Sequence, residues 1–194
     1  MSTRGAFGYI LGGTEKVAYN HCDSDPQELG MRMLEYLAAY SIEEIRRVAG
    51  GIVLVGEDGR PTPDQASECE GAGTVNTSVG RRSKRDWYCL LREAQGDLGI
   101  YHRSKLKYML DFREFLHDSL SCEWAYIINL DSGMFEVYRG FNGNPLAAGR
   151  YAKYTVDSEK RYYGVALAAE YPIDGLKARN PGDVARELES TQGT

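Results

Sequence analysis

Thr3-Arg4-Gly5-Ala6-Phe7-Gly8-Tyr9-Ile10-Leu11-Gly12-Gly13-Thr14-Glu15-Lys16-Val17-Ala18-Tyr19-Asn20-His21-Cys22-Asp23-Ser24-Asp25-Pro26-Gln27-Glu28-Leu29-Gly30 is the stretch from which the fold is read. Gly5–Leu11 and Thr14–Asn20 are extended runs joined by Gly12-Gly13, and two glycines supply the positive φ angles that a tight hairpin turn demands. Val17 and Tyr19 alternate with Lys16, Ala18 and Asn20, which predicts one face on a core and one polar face. Asp25-Pro26-Gln27-Glu28 is a helix start. Asp25 caps, Pro26 takes the first helical position and Glu28 follows the cap by three residues. A hairpin thus runs into a polar cluster, and the cluster into a helix.

Reading outward, residues 26–40 place Leu29, Met33, Leu34, Leu37 and Ala38 near one helical stripe. Ser41-Ile42-Glu43-Glu44 repeats the capping pattern and starts a second helix that Gly50-Gly51 ends. Residues 52–55 fit either a short strand or the buried tail of that helix. Residues 56–85 are rich in Gly and Pro and read as a flexible loop region, with a short helix from Pro63 capped by Thr62. Helices are expected over 87–95, capped by Asp86, and over 104–117.

The apolar period then changes to two. Residues 123–130 and Met134–Arg139 form a hairpin around Asp131-Ser132-Gly133. Trp124, Tyr126, Ile128 and Leu130 face one way, and Ala125, Ile127 and Asn129 the other. That two-sided apolarity predicts a central strand covered on both faces. Residues 162–171 form another strand ended by Pro172, and Asn180-Pro181 opens a last helix over Pro181–Ser190. The plan is α+β: a mostly antiparallel sheet that starts with an N-terminal hairpin, with helices layered against it, in a single domain over 1–194.

The chain has 194 residues, is 42% hydrophobic and 26% charged, and carries a net charge of −5. The acidic balance argues against bulk nucleic-acid binding, which needs many phosphate-neutralising cations. Cys22, Cys69, Cys89 and Cys122 form no CxxC pair and read as thiols of a reducing compartment, and no apolar run reaches membrane-spanning length. A cytoplasmic protein without membrane contact is expected.

Three constellations can carry chemistry. In the first, Tyr19, Asn20, His21, Cys22, Asp23 and Ser24 crowd together. The imidazole of His21 moves protons near neutrality, and Asp23 or Asp25 can orient it. The same residues equally suit a hydrogen-bonded loop that locks hairpin to helix. No second ligand pair accompanies His21 and Asp23, so no metal is assigned. In the second, loss of Met1 would expose the Ser2 amine beside Thr3, and an N-terminal hydroxyl residue can use its own amine as base. Arg4 would then bind an anionic substrate group. In the third, Arg81-Arg82-Ser83-Lys84-Arg85 precedes Asp86-Trp87 and suits a phosphate or nucleotide, or a solvated loop. No P-loop, GxGxxG, GxSxG or zinc pattern occurs, so no cofactor is expected.

Further residues carry a resemblance. Thr3-Arg4-Gly5, Tyr19-Asn20-His21 with Asp23-Ser24, Pro26 and Leu29-Gly30, then Asp86-Trp87-Tyr88-Cys89-Leu90-Leu91-Arg92 with Gln95-Gly96, resemble a pattern of uncharacterised actinobacterial and phage proteins. Asp118-Ser119-Leu120, Cys122-Glu123-Trp124-Ala125-Tyr126 and Phe135-Glu136-Val137-Tyr138-Arg139-Gly140 are similar to the same group. The pattern expects an aromatic residue at position 22 and Tyr at 25, where this chain has Cys22 and Asp25. The resemblance implies a phage or bacterial origin. A fainter likeness, at the level of layout, is to N-terminal-nucleophile hydrolases. The expectation is an accessory protein that binds a protein partner or small anionic ligand through Arg4, Tyr19, Asn20, His21, Asp23 and Arg92. The alternatives are an amide-bond hydrolase using Ser2 or Thr3, and a virion or assembly component.

Overall fold

A computed structural model describes residues 3–79, 86–154 and 161–190. Its centre is a five-stranded sheet in the order β2-β1-β5-β6-β7. The strands are β1 (Gly5–Leu11), β2 (Thr14–Asn20), β5 (Trp124–Asn129), β6 (Met134–Arg139) and β7 (Ala166–Pro172). Two short strands, β3 (Val53–Val55) and β4 (Tyr108–Leu110), pair in parallel beside it. All pairings in the main sheet are antiparallel except β1 with β5, which run parallel with Gly5 opposite Trp124. The architecture is α+β, and the N-terminal hairpin forms with Gly12 at φ 60° and Gly13 at φ 69°.

The helices are α1 (Met31–Ala39), α2 (Ile42–Gly51), α3 (Pro63–Ala72), α4 (Trp87–Leu90), α5 (Ile100–Arg103), α6 (Ile173–Leu176) and α7 (Pro181–Ser190). Both capping boxes form: Ser41 with Glu44 on α2, and Thr62 with Gln65 on α3. Pro26–Gly30 is a π-helical turn that feeds α1, with Asp25 accepting from the Gln27 amide.

The period-two pattern of β5 sorts side chains between two cores. Trp124, Tyr126 and Ile128 join Phe7 and Tyr9 of β1 under Met33, Leu37, Ile45 and Val184 from the helices. Ala125 and Ile127 join Ala6, Ile10 and Val17 on the other face, beneath Leu116, Tyr151 and Val165. The expected polar face of β2 is not there: Val17 and Ala18 are both buried, on opposite faces. The helix layer covers one side and the segment around Leu116 the other.

Two expected helices are broken, each for a traceable reason. Over 87–95 the helix stops at Leu91. The Glu93 amide donates to the Thr74 carbonyl (2.9 Å) and the Cys89 carbonyl accepts from the Asn76 amide (2.9 Å). Glu93 and Cys89 are the pair a continuing helix would join, so the segment from Thr74 to Asn76 intercepts the ladder. Over 104–117 the chain instead forms β4 and a 3-10 turn, Arg113–His117. All three β4 side chains are buried, and a short apolar run enclosed on all sides has no period to distinguish strand from helix. The last strand starts at Ala166, not 162, because the Gly164 and Val165 amides are taken by the Tyr154 and Leu116 carbonyls. The basic run Arg81–Arg85 lies outside the described residues. Among the described residues, no helix is long and apolar enough to cross a membrane.

A polar chain crosses the helix-side core. Tyr9 Oη lies 2.7 Å from Tyr36 Oη, which lies 2.8 Å from His102 Nε2. Tyr9 is sealed, so its proton points to Tyr36, and Tyr36 donates to His102; the reverse order would strand the Tyr9 proton without an acceptor. The His102 ring proton therefore sits on Nδ1. Burial, helped by the Arg47 and Arg103 charges and opposed by Glu44, holds His102 below the ordinary imidazole range. The unfolded chain binds this proton near pH 6.5, while the folded chain resists it. Stability from this site is present above about pH 6.5 and lost as pH falls through the folded value. His117 is lowered by burial in the same direction. The urea midpoint should fall between pH 7.5 and 5.5, and His102→Gln should reduce that fall. A second test concerns packing: a Cβ on Gly8 would lie 2.0 Å from the Lys16 carbonyl oxygen, whereas one on Gly51 meets nothing within 4 Å. Gly8→Ala should lower the melting temperature sharply and Gly51→Ala should leave it nearly unchanged.

Candidate functional site

The polar cluster after β2 divides its residues between two jobs. Asn20, at the end of β2, donates through Nδ2 to the Cys22 carbonyl (2.5 Å) and to Ser24 Oγ (2.8 Å). The Ser24 amide donates to Thr3 Oγ1 (2.8 Å), and Tyr126 Oη donates to the Ser24 carbonyl (3.1 Å). With the Asp25 cap, these bonds stitch hairpin, central strand and first helix together. The Thr3 hydroxyl is part of that seam. Ser2 lies outside the described residues.

The remaining side chains line a cleft of about 260 Å³ beside the seam. His21, Cys22 and Asp23 come from the loop, Arg32 from α1, and Arg92 and Gln95 from the segment after α4. Asp23 has φ 54°, and its carbonyl accepts from the Leu29 amide (3.1 Å) and Arg32 Nη2 (3.4 Å). That left-handed turn is one Asp tolerates better than most residues. His21 Nδ1 lies 3.2 Å from Tyr19 Oη, and Tyr19 is wedged against Phe112 and Phe115 at 5.5 and 5.1 Å between ring centres. Tyr19 thereby positions the imidazole from behind without lining the cleft.

Arg92 donates to Gln95 Oε1 and lies 5.8 Å over the Tyr88 ring. Gln95 Nε2 is a buried donor with no partner among the described residues. Leaving a buried donor unpaired costs about 1–3 kcal/mol. Asn76, also in the lining, is fixed by Glu93 Oε1 (2.7 Å). The Cys22 thiol is pushed up by burial and by Asp23, against the pull of Arg92 and Arg32, which makes it a poor nucleophile at neutral pH.

The structure thus brings together Asn20, His21, Asp23 and Arg92, and leaves Arg4 apart. Arg4 joins the Glu123 segment by its backbone, donating to Glu123 Oε1 (3.2 Å) and accepting from the Glu123 amide (2.9 Å). Sequence reasoning missed Arg32, Asn76 and Gln95. Arg32 had one readable signal: it stands on the exposed side of the stripe marked by Leu29 and Met33. Gln95 stood only within the motif that carries the resemblance and Asn76 had no signal, because their approach depends on the interception of the α4 ladder. Among the described residues, no group of three His, Cys, Asp or Glu side chains is placed to hold a metal ion. Comparison of the chain with known proteins gave no match to a family model, a curated protein or a solved structure.

Asn20 is the keystone of the seam and is 4% exposed. Asn20→Ala frees the Cys22 carbonyl and the Ser24 hydroxyl and should cost about 1–3 kcal/mol of stability, read by urea denaturation. Gln27→Ala, on an exposed side-chain contact with Glu189, should change it little.

Proposed function

We propose that this chain is a phage or bacterial accessory protein whose cleft binds the anionic group of a small ligand or of a protein partner. One observation carries the reading. Two guanidinium groups distant in sequence, Arg32 and Arg92, converge on one cleft with His21, and the Asp23 and Glu93 carboxylates complete its charged lining. Arginine matches carboxylate and phosphate geometry through paired N–H donors. The net charge of −5 favours a small or local anion over a long phosphate backbone. The amide-hydrolase reading draws less support: the Thr3 hydroxyl accepts a structural hydrogen bond from the Ser24 amide. The virion or assembly reading rests on no specific side-chain arrangement.

Titration with inorganic phosphate, followed by backbone amide chemical shifts, tests the cleft. Shifts should concentrate at residues 20–23, 32, 76 and 92–96. Arg32→Ala and Arg92→Ala should each weaken binding about tenfold, or about 1.4 kcal/mol, with unchanged melting temperature. His21→Ala with Asp23→Ala should also weaken it. Unchanged affinity in both arginine variants would reject this site.

A further inference from the structure

The cleft does not end at Arg32. The same side chain forms the wall of a second hollow of about 240 Å³, bordered by Glu35, Tyr36, Tyr40, Asp97 and Arg103. Gly96 has φ 74°, and a Cβ added there would lie 2.8 Å from both Arg32 Nη1 and Asn20 Oδ1. Arg32 thus lines both hollows, and the Gly96 backbone packs against its guanidinium. Together the hollows reach the size range of sites for small organic ligands, roughly 300–1,000 Å³.

Their chemistries differ in a specific way. The first presents Arg92 and His21, with the Asp23 and Glu93 carboxylates also in its lining. The second presents aromatic surface with carboxylates at its edge. Tyr40 stacks on His102 with ring centres 3.8 Å apart and planes at 22°. His102 is in turn held by Tyr36 at 2.8 Å. The Tyr40 ring is thus backed on one face and fixed in orientation, as a stacking platform requires. Asp97, anchored by Arg103, and Glu35 supply acceptors for hydroxyl or amino groups.

We propose that the ligand is a nucleoside monophosphate. Its phosphate lies between Arg92 and Arg32, its planar base lies in the Tyr36/Tyr40 hollow, and Glu35 and Asp97 accept from sugar hydroxyls or base amino groups. This inference rests on the anion-binding reading above and adds the second hollow to it. Aromatic platforms stack bases with little regard to their identity, which is why the class is assigned here and not the base.

The test is calorimetric titration of the full chain with AMP, GMP, CMP, UMP and inorganic phosphate. At least one nucleotide should bind ten times more tightly than phosphate. Tyr40→Ala should return it to the phosphate level while phosphate affinity stays within about twofold, Tyr40→Phe should retain the advantage, and Arg92→Ala should weaken both ligands. Intermolecular NOEs between the base protons and the Tyr40 ring report the same contact in the unsubstituted chain. Phosphate binding with no nucleotide advantage, or a nucleotide advantage without those NOEs and indifferent to Tyr40→Ala, overturns the nucleotide assignment and leaves the anion cleft standing. Binding of neither phosphate nor nucleotide overturns both.

Discussion

The parallel pairing of β1 with β5 is the constraint on which the rest depends. It joins residues more than a hundred positions apart, so it forms only when the whole intervening chain has been accommodated. Because the strands run the same way, the start of β1 and the start of β5 lie at one end of the sheet. The antiparallel hairpin then returns β2 to that end, and the polar loop leaves from it. Tyr126 reaches across to the Ser24 carbonyl and fixes the loop to the central strand. A ring buried to completion and a hydroxyl with one fixed acceptor make this contact both apolar and directional.

From that seam follows the division of labour in the polar cluster. Side chains whose hydrogen bonds point inward, Thr3, Asn20, Ser24 and Asp25, hold the geometry. His21 and Asp23 line the cleft, which Arg32 and Arg92 reach from other elements. The π-helical turn at Pro26–Gly30 contributes as well. A Cβ on Gly30 would come within 3.1 Å of the Tyr126 ring, so the turn packs against the central strand as closely as its backbone allows. Wide turns of this kind are uncommon and are often found beside functional sites.

The hydrogen-bonded chain from Tyr9 to His102 links the sheet to the second hollow. It gives a buried phenol on β1 a route to the surface and fixes the tautomer of an imidazole that backs Tyr40. On the opposite face of the sheet, Glu136 accepts from Asn129, Tyr138 and Arg150, and this buried carboxylate is satisfied within the protein. Gln95 differs in that its buried amide nitrogen has no partner among the described residues.

Local rules were enough for the hairpin, the caps and the two-sided central strand. Glycine pairs, capping boxes and period-two alternation act through nearest neighbours, so the N-terminal hairpin, α2, α3 and the Trp124/Ala125 alternation were legible in the residues themselves. What only tertiary structure decided was where local preference lost to distant partners. The helix after Asp86 broke because Thr74 and Asn76 took its hydrogen bonds, and residues 108–110 became a strand because Val53–Val55 offered them an edge. The cleft belongs to the second group. His21, Asp23 and Arg92 could be named from sequence, but Arg32 and Gln95 join them, and Arg4 leaves them, through packing that no stretch of sequence contains.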